Sequence, residues 1–231
     1  MNLAFAPLWQ TLWEGAPWLP AMETLRLVRH GSWALVCAAL VLVLCRRLPP
    51  LRALHWHRRP WLPLAAALWA CVPGVWGLAY WLGLAFQIPS VLATLWAAAY
   101  LADAFLFPQW QASAFSARAA PRRLWDRLGL ALLLVLGWLL LLDTFALLPW
   151  SLYRLGFAPV ASVVLLLVAV LPGVVGGWTA WRSNRGALLF LLALMLFMPS
   201  RWPTGNVFDA VLDPGLWLFL HALAWRRWRQ S

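Results

Sequence analysis

The chain has 231 residues, of which 64% are hydrophobic and only 11% are charged, and its formal net charge is +11. A soluble domain contains about half apolar and about a quarter charged residues, so this composition excludes an ordinary soluble fold. The basic residues lie beside long apolar segments, where anionic lipid headgroups are the nearest partner. Aromatic and basic residues are not interleaved on a water-facing surface, which argues against nucleic-acid binding.

Residues 1–20 are predicted to form a separate segment that lies on the outward-facing surface of a membrane. This segment is interrupted by three prolines and contains three tryptophans: Pro7, Pro17, Pro20, Trp9, Trp13 and Trp18. The prolines disfavour a spanning helix, and the basic start and small-residue cleavage site of a signal peptide are missing. Residues 21–231 are predicted to form a single transmembrane helical domain.

Seven apolar segments follow, most of them close to the length of about 20 residues that a helix needs to cross a bilayer. They are residues 24–45, 61–86, 88–107, 127–148, 157–181, 186–199 and 207–225. The sequence therefore predicts an all-α, polytopic transmembrane helix bundle with about seven spans. The sixth segment is short, so it is the weakest of the seven. Five spans remain an alternative if the second and third segments form a re-entrant pair.

Arginine positions predict the orientation of this bundle, because basic loops are retained on the cytoplasmic side. Fourteen of the 18 basic residues would lie on one side: Arg46, Arg47, Arg52, Arg58, Arg59, Arg118, Arg122, Arg123, Arg127, Arg182, Arg185, Arg226, Arg227 and Arg229. The other four, Arg26, Arg29, Arg154 and Arg201, would lie opposite. The predicted amino terminus is outside and the carboxyl terminus is cytoplasmic. The chain contains no lysine, a bias typical of GC-rich bacteria, so we expect a bacterial inner membrane.

The richest group of polar residues is predicted at the outward face. Its members are Asp143, Arg154, Arg201, Asn206, Asp209 and Asp213. These residues could hold a lipid phosphate or a sugar. Asp209 and Asp213 are four positions apart, so on one helix they would share a face and could bind a divalent cation or pair with Arg201. The structural alternative is that Asp213 caps a helix that begins at Pro214, and that Asp209 only neutralises an arginine.

Two segments carry a similar Pro-Gly motif, at residues 72–77 and 171–176. The positions concerned are Pro73, Gly74, Gly77, Pro172, Gly173 and Gly176. In the predicted topology the two helices run in opposite directions, and paired interruptions of this kind are typical of inverted repeats that line a transport path. The alternative is that the glycines only permit close packing between helices.

Known catalytic and nucleotide-binding motifs are missing from the sequence, and no cofactor or metal is predicted. His55 and His57 lie in a basic loop without further ligands, so they do not indicate a metal site. The three cysteines, Cys37, Cys45 and Cys71, fit small buried hydrophobic residues. Enzyme activity is therefore not indicated, although a lipid-phosphate enzyme that uses the outward polar residues stays a minor alternative.

These observations favour a non-catalytic multi-pass inner-membrane subunit of an envelope biogenesis or export complex. We expect it to pack against partner proteins or lipid-linked material. Its expected partners are membrane lipids, with anionic headgroups at the cytoplasmic face, and other membrane-protein subunits. The alternative is a small transporter or flippase with a path between the Pro-Gly-broken helices at residues 73 and 172.

Overall fold

A computed structural model of the chain describes residues 19–48, 60–106 and 120–229. The described residues form helices and no strand, which confirms the predicted all-α class. Residues 1–18 of the predicted surface segment, which runs from 1 to 20, lie outside the described residues, as do His55 and His57.

Ten α-helices make up the described part of the chain. They are α1 (Met22–Arg47), α2 (Trp61–Cys71), α3 (Leu78–Phe86), α4 (Val91–Phe105), α5 (Ala120–Thr144), α6 (Leu152–Leu155), α7 (Pro159–Ser183), α8 (Arg185–Ser200), α9 (Val207–Val211) and α10 (Pro214–Trp228). A short 3-10 turn, Gly74–Trp76, lies between α2 and α3. The helices fall into two compact units, α1 to α4 and α5 to α10.

Within the described residues, two helices are long and apolar enough to cross a membrane, namely α1 and the Arg127–Thr144 part of α5. The other apolar helical stretches there have 10 to 17 residues, so the seven-span prediction is not confirmed; they are Trp61–Cys71, Val91–Phe105, Pro159–Val175 and Arg185–Ser200. A helix of 15 residues, such as α4 or α10, is about 22 Å long, whereas the hydrocarbon core of a typical bilayer is about 30 Å thick. Two predicted segments are divided: residues 61–86 form α2, a turn and α3, and residues 207–225 form α9 and α10. Asp209 therefore precedes the long helix of the last segment, α10.

In the first unit, α2, α3 and α4 all pack against α1. Trp33 and Cys37 of α1 meet the fully buried alanines Ala70 and Ala79 of α2 and α3. Small side chains at these positions let the helix backbones approach closely. The indole N–H of Trp33 also donates to the backbone carbonyl of Gln87, at 3.0 Å, which ties the residue that follows α3 to α1.

The first Pro-Gly motif interrupts the helix between α2 and α3. The backbone conformation of this break requires its two glycines, Gly74 and Gly77. Pro73 has no backbone N–H and cannot continue the hydrogen bonding of α2. Gly74 has a φ of +73°, and a Cβ on it would meet nothing within 4 Å. A Cβ on Gly77 would lie 1.7 Å from the carbonyl oxygen of Val72. Interhelical packing therefore does not explain Gly74 or Gly77, whereas the non-helical backbone of the break does.

The second motif has a different backbone conformation. Helix α7 continues through Pro172, Gly173 and Gly176, and its non-helical residue is Gly177, with a φ of 74°. A proline within a helix removes one hydrogen bond and often bends the helix, but it need not end the helix. The two motifs have similar sequences, but they do not interrupt their helices in the same way.

In the second unit, α5 and α10 meet at a glycine and a tryptophan. A Cβ on Gly137 would lie 2.2 Å from Cδ1 of Trp217. The Trp217 ring packs edge-on against Trp138 at 5.1 Å and against His221 at 4.5 Å. The Nδ1–H of His221 donates to the Trp217 carbonyl at 2.9 Å, so this polar side chain bonds to its own helix.

Another side of α5 carries an exposed apolar stripe. Its members, spaced three or four residues apart, are Leu128, Leu132, Val135, Leu139 and Leu142. This spacing places them along one side of the helix. Water-soluble proteins rarely expose a continuous apolar surface of this kind, which is typical of a lipid or protein contact.

We predict that Gly137→Ala destabilises the second unit by about 1 to 3 kcal/mol, because the Trp217 ring must move to admit the methyl group. The matched control is Gly129→Ala in the same helix, where a Cβ meets nothing within 4 Å. Thermal unfolding in detergent, followed by circular dichroism, measures both. Equal midpoints for the two variants would contradict the close contact between α5 and α10.

Candidate functional site

The predicted outward polar residues lie in the segments that connect the helices of the second unit. We call residues 143–157 and 200–216 the polar cap. It contains the short helices α6 and α9 and the start of α10. The structure brings several of the predicted residues together here, through partners that the sequence pattern did not indicate.

Asp209 is the centre of the polar cap. Its Oδ2 accepts hydrogen bonds from the hydroxyls of Tyr153 and Thr204, both at 2.5 Å. Burial raises the pKa of the Asp209 carboxyl, the two hydroxyl donors oppose that rise, and the charge of Asp213 adds to it. Burial, together with the bond to Asp209, also raises the pKa of Tyr153. Asp209 thus links α6 to α9 across 56 positions of sequence.

Asn206 joins the same two segments from inside the cap. Its side chain is fully buried. Its Nδ2 donates to the carbonyl of Tyr153 at 2.8 Å, and its Oδ1 accepts from the backbone N–H of Phe208 at 2.9 Å. A Cβ on Gly156 would lie 1.9 Å from Oδ1 of Asn206, so only glycine fits there. The buried amide of Asn206 therefore stabilises the contact between the two segments of the polar cap.

Asp143 holds the start of α6. Its Oδ2 accepts from the backbone N–H of Tyr153 at 2.6 Å and from the hydroxyl of Ser151 at 3.2 Å. The first N–H groups of a helix have no partner within the helix, and a carboxylate is favoured near them. Asp143 therefore fixes the chain after α5 and positions Tyr153 for its bond to Asp209.

The N-cap interpretation of Asp213 is confirmed. Its Oδ1 accepts from the backbone N–H of Leu216 at 2.9 Å, and α10 begins at Pro214. The prediction that Asp209 and Asp213 share one helix face is wrong. Asp209 lies in α9, Asp213 precedes α10, and Leu212 between them is extended, with a φ of −147°.

Arg201 and Arg154 do not pair with Asp209 or Asp143 among the described residues, so the idea that Asp209 neutralises an arginine is wrong there. Arg201 follows α8 with a φ of 53°, and its guanidinium lies 5.4 Å from the centre of the Phe197 ring. Its Nε is buried and has no hydrogen-bond partner in the described part of the chain. Arg154 is exposed on α6.

The remaining hydrogen-bonding capacity of the cap is mainly that of donors. The indole N–H of Trp202, like Nε of Arg201, is buried without a partner in the described ranges. No group of three or more His, Cys, Asp or Glu that could hold a metal occurs among the described residues. Guanidinium and indole donors suit a phosphate or carboxylate group, whereas the cap carboxylates already bind hydroxyls and backbone amides.

The sequence pattern did not single out Tyr153, Thr204, Ser151 or Gly156. A partial signal existed, because Thr204 and Asn206 precede the apolar start of α9, a typical helix-capping pattern. No local signal relates Tyr153 or Gly156 to Asn206 and Asp209, because these contacts join distant segments.

Comparison with protein-family models, curated proteins and solved structures gives no match for this chain. The interpretation of the polar cap therefore starts from its residues and their contacts.

We predict that Asp209 makes the stability of the cap depend on pH. Because burial raises its pKa, the folded chain binds this proton more tightly than the unfolded chain, whose Asp pKa is about 3.9. Stability should therefore rise as the pH falls through the raised pKa toward the unfolded value, and should be lost as the pH rises again through the raised pKa.

The measurement is the midpoint of thermal unfolding of the wild-type chain and of Asp209→Asn at several pH values. The difference between the two cancels the effects of other titrating groups. The midpoint of the wild type should rise relative to that of Asp209→Asn as the pH falls. A difference that stays constant with pH would contradict the raised pKa.

Proposed function

We propose that this chain is a multi-pass protein of the bacterial inner membrane, with about seven spans, an outer amino terminus and a cytoplasmic carboxyl terminus. The length and apolarity of α1 and of the Arg127–Thr144 part of α5 support a membrane location. The exposed apolar stripe of α5 supports it as well. The distribution of arginines supports the orientation, because only four of the 18 would lie outside.

Within that membrane we assign the chain the role of a non-catalytic subunit of an envelope biogenesis or export complex. The observation that carries this assignment is the use of the carboxylates in the polar cap. Asp143, Asp209 and Asp213 bind backbone amides and hydroxyls of their own cap. A cap held in this way is suited to presenting a fixed surface. Its exposed Arg154 favours an anionic group on a partner protein or on lipid-linked material.

The orientation is tested with paired reporter fusions at residues 55, 120, 150 and 205 in cells. We expect cytoplasmic activity at 55 and 120 and outward activity at 150 and 205, since arginine-rich loops stay inside. Reporters at 55 and 120 on different sides would contradict the topology. Release of the chain from membranes by alkaline carbonate would contradict the membrane location as a whole.

The partner role is tested by gentle extraction from native membranes, affinity purification and mass spectrometry. We expect a stoichiometric companion, and we expect Arg154→Glu to reduce its yield about tenfold, a loss of about 1.4 kcal/mol of binding free energy. The matched control is Arg227→Glu, an exposed arginine in the last turn of α10. Recovery of a monomeric chain without a companion would contradict the proposal.

The transporter or flippase alternative is favoured by one observation, the break at Pro73. Its test is the movement of a fluorescent phospholipid across vesicles that contain the purified chain. Transport that is lost in Pro73→Ala and Pro172→Ala, but not in Gly129→Ala, would establish this alternative over the subunit role.

A further inference from the structure

The broken helix of the first unit presents an exposed aromatic surface. We call Trp69, Val75, Trp76 and Trp81 the tryptophan surface. Trp76 is 82% exposed, and the other three side chains are each at least 50% exposed. Val75 and Trp76 belong to the 3-10 turn between α2 and α3, whereas Trp69 lies in α2 and Trp81 lies in α3.

Two of these indoles use their N–H groups on the backbone of the break. Nε1 of Trp69 donates to the carbonyl of Trp76 at 2.9 Å, and Nε1 of Trp81 donates to the carbonyl of Val75 at 2.8 Å. The backbone bonds of the turn, from Gly77 to Gly74 and from Tyr80 to Gly77, use other carbonyls. The indoles therefore supply the donors that a broken helix otherwise takes from water.

The sequence around the turn contains no charged residue and no histidine from Trp61 to Ala102. Turns that face water are usually rich in charged and small polar residues. In hydrocarbon, by contrast, a backbone carbonyl without a donor is costly, so a helix break is tolerated there only when other groups of the protein satisfy its carbonyls. The bonds from Trp69 and Trp81 meet that requirement for the carbonyls of Trp76 and Val75.

We propose that the tryptophan surface contacts the acyl chains of phospholipids, and that the indoles of Trp69 and Trp81 take the place of water on the carbonyls of the break. This inference rests on the membrane location proposed above. The ring faces point outward as apolar surface, because the two N–H groups are already bound to the turn. In this proposal the helix break at Pro73 contacts lipid and excludes water, so it does not line a water-filled transport path.

The first test removes the two donors and keeps apolar rings in place. Trp69→Phe and Trp81→Phe should each lower the midpoint of thermal unfolding in lipid nanodiscs by about 2 to 4 °C, since each leaves one carbonyl without a donor. Trp76→Phe is the matched control, because its indole makes no hydrogen bond to another described residue. Unchanged midpoints in both test variants would overturn the role of the indoles.

The second test asks whether the turn contacts lipid or water. Cys37, Cys45 and Cys71 are replaced by alanine, and Val75→Cys is compared with Ser151→Cys in the polar cap. The purified variants are reconstituted in phosphatidylcholine vesicles, and a charged, membrane-impermeant maleimide is supplied on both sides. The thiol of Val75→Cys should react about tenfold more slowly, because an apolar environment suppresses the reactive thiolate.

Two controls make the outcome unambiguous. Denaturation should bring the two thiols to equal reactivity, which shows that both can be labelled. Equal rates in intact vesicles, with the chain retained after carbonate washing, would overturn the lipid contact alone. Release of the chain by carbonate would overturn the membrane location as well, so the two proposals fail in distinguishable ways.

Discussion

A polar group that is removed from water is costly without a hydrogen-bond partner, and apolar surroundings supply few such partners. Where a helix ends, its first N–H groups and last carbonyls have no partner within the helix. The described structure answers this constraint with side chains. The indoles of Trp69 and Trp81 bind the carbonyls of the α2 to α3 break, and Asp143 and Asp213 bind the amides that open α6 and α10.

This use of polar groups bears directly on function. A carboxylate that binds its own loop is not available as a general base without releasing that loop. The polar cap holds its segments by such bonds, through Asp209 and the buried Asn206. The exposed Arg154 is not used in this way, and in the function that we propose it recognises an anion on a partner. A structural or docking role fits this balance better than catalysis.

The two Pro-Gly motifs show that a short sequence pattern predicts only part of the local helix geometry. Their residue sequences are nearly the same, yet the helix is interrupted at Pro73 to Gly77 and continues through Pro172. A proline weakens a helix at one bond, whereas the neighbouring packing decides whether the helix bends or ends. The motif therefore predicts a weak point, but not its geometry.

The all-α class and the N-cap at Asp213 could be predicted from the sequence, because helix formation and capping depend on residues within one or two turns. Arg201, Asn206, Asp209 and Asp213 could be grouped because they are close in sequence, whereas Asp143 and Arg154 joined them only through the predicted topology. The folded chain was needed to show that Asp209 binds Tyr153, that Gly156 makes room for Asn206, and that Asp209 and Asp213 belong to different helices. These contacts join segments about 50 residues apart, and their partners depend on which helices meet, which no local pattern encodes.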